Sequence, residues 1–130
     1  MRTVLIADDS KTSQMLVKTT LQRIAGLQFL TADNGVEALA VVQKSRVDLL
    51  VTDINMPELD GIGLIRAVRA EHDAKRLPIL IITAKGEEQA RDQGMALGAN
   101  GYVLKPLSGR ELAEHANRLL GPAPGPAPGA

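Results

Sequence analysis

The chain has 130 residues, 45% of them hydrophobic and 23% charged, and its fifteen basic and fifteen acidic side chains cancel. That length suits one hydrophobic core rather than two. The balanced charge leaves no field to hold a polyanion, so direct nucleic-acid binding is not expected, and no apolar run approaches the roughly 20 residues that cross a bilayer, so neither is a membrane role. The absence of cysteine excludes disulfides, thiol catalysis and Cys-ligated metals.

Residues 3–7 are β-branched and apolar and predict a first strand ending at Asp8 and Asp9. The run turns acidic too soon for a secretory signal, which makes a cytoplasmic location the expectation. From Lys11 the period changes: Val17, Leu21, Ile24 and Ala25 stand at i, i+4, i+7 and i+8, an amphipathic helix that Gly26 stops. Residues 27–32 form the least apolar strand, read as an edge. Asp33-Asn34-Gly35 then supplies a turn before a helix through Val36, Ala38, Leu39 and Ala40. Residues 47–53 are apolar without alternation, too short for a helix and closed by Pro57, so they predict a strand buried on both faces and ending in Asp53.

A loop over 57–61 leads into a helix carrying Ile62, Ile65 and Val68 toward His72. Residues 78–83 are the most hydrophobic strand, with Pro78 first, where a missing N–H does least harm. The helix over 87–97 is weak on paper, since Gly94 costs about 1 kcal/mol relative to Ala. Residues 101–104 make a short strand ending at Lys105-Pro106. A last helix, with Leu112, Ala116, Leu119 and Leu120, is capped by Ser108 or Gly109 and ended by Gly121. Residues 121–130 contain only Gly, Pro and Ala and read as a disordered tail or linker, leaving 1–120 as the domain.

Five strands alternating with five helices predict an α/β fold, a doubly wound five-stranded parallel sheet. All strand ends then share one edge, where ligands bind in such sheets. Asp8, Asp9, Asp53, Thr83 and Lys105 arrive there. Three carboxylates in one place repel, so they predict a bound divalent cation, and oxygen donors without His or Cys point to Mg²⁺ or Mn²⁺. That ion beside the Lys105 ammonium and the Thr83 hydroxyl suits a phosphoryl group, with Asp53 as nucleophile. Each residue alone has a plainer reading: Asp8-Asp9 as a helix cap, Asp53 as a turn former, Thr83 as a strand-end hydroxyl, Lys105 as a solvated cation and Tyr102 as edge packing. Their joint placement at four strand ends favours the chemistry.

With these residues in view, the chain resembles the receiver domains of bacterial two-component response regulators, and among them the single-domain chemotaxis type. The resemblance covers residues 3–120. It rests on Asp8-Asp9, Asp53-Ile54-Asn55-Met56-Pro57, Asp60-Gly61, Thr83-Ala84, Tyr102 and Lys105-Pro106. It implies a flavodoxin-like sheet of order 2-1-3-4-5. It implies Asp53 as the phosphoacceptor for a histidine kinase, with Asp9, Asp53 and the backbone carbonyl of Asn55 as direct Mg²⁺ ligands and Asp8 acting through a water. Lys105, before a cis bond to Pro106, would hold a phosphoryl oxygen. Thr83 and Tyr102 would form a switch pair that alters the face of helix four, strand five and helix five toward a downstream protein.

On this reading the module is a signalling switch acting by protein–protein contact, and it catalyses only its own phosphorylation and dephosphorylation. The sequence departs from chemotaxis members at Lys85, often acidic or polar there; with Asn55 it stands where the family controls access of hydrolytic water. Two alternatives compete. A Mg²⁺-dependent aspartyl phosphatase would need a second acid two residues after its nucleophile, where this chain has Asn55. A degenerate receiver serving as a scaffold would not need the complete set of acids, Thr and Lys that is present.

Overall fold

The computed structural model describes residues 2–121, so the expected tail lies outside the described residues except for Gly121. The strands are β1 (Arg2–Ala7), β2 (Leu27–Ala32), β3 (Leu49–Asp53), β4 (Ile79–Thr83) and β5 (Gly101–Leu104). They pair in parallel in the order β2-β1-β3-β4-β5. The continuous apolar runs take the middle: β3 and β4 are buried at every position, whereas the edge strand β5 alternates buried and exposed. The least apolar strand, β2, is the opposite edge.

Because side chains alternate across a strand, the sheet feeds two cores. Leu5, Leu50, Ile79 and Ile81 face α2 (Gly35–Lys44), α3 (Gly61–Glu71) and α4 (Glu88–Ala96), meeting Ala38, Leu64 and Ile65. Val4, Ile6, Val51, Leu80 and Ile82 face α1 (Lys11–Leu21) and α5 (Gly109–Leu120), meeting Val17, Leu21, Leu112 and Ala116. Each fully buried Leu or Ile contributes about 1.5–3 kcal/mol.

Two local expectations are corrected, the end of the first helix and the bounds of the fourth. The first helix ends at Leu21, well before Gly26; Ile24 keeps the apolar spacing only because a turn, Ile24 N–H to Leu21 O at 3.0 Å, carries it back onto the core, and Ala25 is exposed. Val36 points to solvent, and Ala38 with Val42 forms the inner face of α2. Glu87 stands outside α4, at its N-cap position, and Leu97 is the C-cap. Gly94, a weakness by propensity, has a packing role: a Cβ there would lie 2.7 Å from Ile81 Cδ1, so any larger residue would have to displace the end of that buried side chain. Ser108 caps α5, accepting from Glu111 N–H at 3.3 Å, and Gly121 ends it.

Candidate functional site

The register sets the carboxyl edge. Ala7 pairs with Thr52, Asp53 with Ile82 and Thr83 with Leu104, so the residues that end β1, β3, β4 and β5 arrive side by side. Carboxylate oxygens of Asp8, Asp9 and Asp53 come within 4.8 Å of one another, Asp8 and Asp53 buried and Asp9 exposed. The plain reading of Asp8-Asp9 as a helix cap is replaced by a division of labour. Ser10 caps α1, accepting from Ser13 N–H at 3.2 Å. Asp8 Oδ1 accepts from Ser10 N–H at 2.9 Å, which fixes its orientation, and Asp9 is left facing solvent.

Asp53 is held from two sides. Its Oδ1 accepts from Ile54 N–H at 2.9 Å and lies 3.6 Å from Lys105 Nζ. Its backbone is locked by the turn into α3. Asp60 caps that helix by accepting from Gly63 N–H at 2.8 Å, and a Cβ on Gly61 would lie 2.2 Å from the Asp53 carbonyl oxygen. Only glycine permits that approach. Lys105 is positioned by its N–H to Thr83 O at 2.7 Å, and its bond to Pro106 is cis, as the family resemblance implied.

The electrostatics are those of crowded acid. Burial pushes the Asp53 carboxyl above the usual carboxylate range, and the neighbouring Asp8 adds to the rise, against the opposing pull of Lys105 and of Ile54 N–H. Burial likewise raises the Asp8 carboxyl, against Ser10 N–H and Lys105. A hard dication would relieve this tension, and the all-oxygen donor set fits Mg²⁺ rather than a soft metal. Beside the acids an open depression of about 450 Å³, lined by Asp9, Asn55, Met56, Pro57 and Asp60, gives access from solvent.

Thr83 is buried at the same edge. Tyr102 is the predicted residue that the structure keeps apart: it pairs with Ile81, two positions back from Thr83, and is more than one-third exposed. The Arg91 guanidinium lies 4.6 Å from its ring centroid, a cation–π contact across α4 and β5. Sequence reasoning missed Glu87. Its Oε1 accepts from Ala84 N–H at 2.6 Å and from the Thr83 hydroxyl at 3.4 Å, and its Oε2 accepts from the Asn55 amide. The available signal was chemical: Glu is a poor N-cap, so at the start of a helix its carboxylate is free for other donors.

A family model described as the response regulator receiver domain matches residues 4–117. The chemotaxis protein CheY of Pseudomonas aeruginosa is 37% identical over 117 residues, covering 90% of this chain and 94% of that protein. The high-resolution structure of the chemotaxis response regulator CheY4 of Vibrio cholerae superposes with a TM-score of 0.81 at 38% identity, covering 92% of this chain and 98% of that one. The receiver domain of NtrX from Brucella abortus superposes with a TM-score of 0.82 at 26% identity, covering 90% and 97%. With the parallel order β2-β1-β3-β4-β5 and the acidic carboxyl edge, these likenesses establish that the chain belongs to the response regulator receiver domain family.

Proposed function

We propose that this receiver takes a phosphoryl group from a histidine kinase onto Asp53 and passes the signal on by protein–protein contact. The observation that carries the reading is the convergence of Asp8, Asp9 and Asp53 within 4.8 Å, with Lys105 Nζ 3.6 Å from Asp53 Oδ1. Receiver domains bind Mg²⁺ at an acidic pocket, and here Asp9, Asp53 and the Asn55 backbone carbonyl are the proposed direct ligands, with Asp8 acting through a water. Bound there, Mg²⁺ would supply charge neutralisation for phosphoryl oxygens.

The rest is work for the chain's own groups. An Asp53 carboxylate oxygen attacks phosphorus in line as the bond to the donor breaks and the leaving group departs with its electron pair. Lys105 and the Thr83 hydroxyl receive phosphoryl oxygens and offset the charge that develops on them. Asp53 is oriented beforehand by Ile54 N–H and by the turn through Gly61, so positioning supplies much of the rate. Residues 1–120 act as one receiver domain, and residues 121–130 as a linker or tail. We place the module in the cytoplasm; among the described residues no helix is long and apolar enough to cross a membrane.

Output is assigned to the face of α4, β5 and α5, where Tyr102 and Leu104 are exposed. Thr83 and Tyr102 serve as the switch pair: both side chains lie on one face of the sheet, since Ile81 pairs with Tyr102 and Thr83 with Leu104. Chemotaxis is the pathway suggested by the CheY relatives. A second relative limits that step: the protein of Pyropia yezoensis named "probable transcriptional regulator ycf27" is 39% identical over 117 residues, yet this chain covers only 46% of it. Identity alone does not choose the output.

The test is incubation with acetyl phosphate and Mg²⁺ followed by intact mass. Wild type gains the mass of one phosphoryl group, and Asp53→Asn gains none; an unmodified wild type overturns the assignment. Sustained turnover of a generic phosphomonoester would instead favour the phosphatase alternative.

A further inference from the structure

Glu87 has no part in the roles proposed above, yet it lies at the mouth of the site. It precedes α4 without making a capping bond. Its carboxylate turns back and collects a backbone N–H from Ala84 at 2.6 Å, the Thr83 hydroxyl at 3.4 Å and the Asn55 side-chain amide. A backbone N–H, a hydroxyl and an amide converging on one anionic group form an oxyanion-binding set. Asn55 lies two residues beyond Asp53 and Thr83 at the end of the neighbouring strand, and the negative charge of Glu87 is felt at the Asp53 carboxyl.

We infer that Glu87 is a built-in competitor of the phosphoryl group. In the unphosphorylated protein its carboxylate occupies the Thr83 hydroxyl and the Ala84 N–H, and it withdraws when a phosphoryl group on Asp53 claims those donors. This rests on Asp53 as the phosphoacceptor and deepens that reading. No covalent bond to Glu87 forms or breaks; it acts as a positioning residue that sets how readily the site accepts phosphoryl. A receiver whose donors are occupied is competent for only a fraction of the time, so its apparent affinity for a phosphoryl mimic falls by that fraction. Glu87 is also tied to the outward surface. Arg91 N–H donates to Glu87 O at 2.9 Å in the first turn of α4, and the Arg91 side chain covers Tyr102.

The experiment is calorimetric titration with beryllofluoride, which adds to a carboxylate oxygen as a phosphoryl mimic, at saturating Mg²⁺. Asp53→Asn is expected to bind none. Glu87→Ala and Glu87→Asp are both expected to bind about tenfold tighter than wild type, because each loses the reach that occupies the donors. The Asp variant separates occupancy from charge: if it matches wild type while Glu87→Gln shows the full gain of Glu87→Ala, the effect is Coulombic repulsion and the inference falls. Equal or weaker binding by Glu87→Ala also overturns it. Beryllofluoride ignored by every variant overturns the phosphoacceptor reading, and the competitor with it. A second readout needs neither metal nor phosphoryl: hydrogen exchange of the Ala84 amide is expected to be about tenfold faster in Glu87→Ala than in wild type. Unchanged exchange means the contact is not held in solution and rejects the competitor even where phosphoryl acceptance stands.

Discussion

At the amino edge of the sheet Arg69 donates to the carbonyl oxygens of Gly98, His72, Asp73 and Leu77 and to the Asn100 side chain, whereas at the carboxyl edge three aspartates crowd within 4.8 Å of one another, one of them paired with Lys105. Both patterns follow from one topology. Parallel strands joined by helices place every helix C-terminus at the amino edge and every N-terminus at the carboxyl edge, so the dipoles favour cations at the first and anions at the second. Arg2, which donates to Leu120 O at the end of α5, and Arg76, which donates to Val47 O, repeat the arrangement of Arg69. The amino edge uses its cations to close backbone carbonyls and is settled. The carboxyl edge holds like charges whose repulsion Lys105 only partly offsets, and under the proposed function that crowding is what draws a cation and a phosphoryl group there.

The comparison is broken most directly by stability. Arg69→Met is expected to lower the unfolding free energy by about 3 kcal/mol, because it takes the guanidinium donors from the part-buried carbonyls of Gly98, His72 and Leu77. Urea unfolding measures this, and a loss under about 0.5 kcal/mol would show that the amino edge is not held by its cation. Next in size, Gly61→Ala is expected to cost about 2 kcal/mol through the clash of its Cβ with the Asp53 carbonyl. Phosphoryl acceptance should fall with it, since the turn that orients Asp53 must move.

The smallest effect has the opposite sign. In metal-free buffer near neutral pH, Asp53→Asn is expected to stabilise by about 1 kcal/mol by removing one of the crowded charges. Its pH dependence follows from the raised Asp53 and Asp8 carboxyls. The fold binds these protons more tightly than the unfolded chain does, so their penalty is absent below the ordinary carboxylate pKa of about 3.9 and complete above the raised folded values. Stability contributed by these groups therefore falls as pH rises through that window. Asp33 and Asp73 are held below the usual range, by Lys11 and Gln14 and by the Arg76 N–H respectively, and they work the other way. The difference between wild type and Asp53→Asn, measured across pH in chelator, isolates the trend; a difference that shrinks as pH rises would contradict it. Saturating Mg²⁺ at neutral pH is expected to stabilise wild type more than the variant.

Much of this organisation was legible in the residues. β3 and β4 could be read because burial on both faces demands continuous apolar runs, and the gathering of the candidate site residues because a parallel sheet sends every strand end to one edge. The order of the strands was not readable from periodicity and came with the family resemblance. The end of α1 was missed because Ile24 continues the apolar spacing through a turn. Gly94 looked like a defect because its partner, Ile81, is distant in sequence. Glu87 looked like an ordinary acid at a helix start, since its contact with Asn55 spans 32 positions and no local pattern records it. Most of what escaped the sequence was contact between segments distant along the chain, which periodicity does not encode.

The central claim is that Asp53, rather than either neighbouring acid, carries the phosphoryl group. It is tested most directly by phosphorylating the protein with acetyl phosphate and Mg²⁺, reducing the acyl phosphate with borohydride and locating the resulting homoserine by peptide mass mapping. Homoserine at position 53 alone is the predicted result. Homoserine at position 8 or 9, or none at all, would contradict the account.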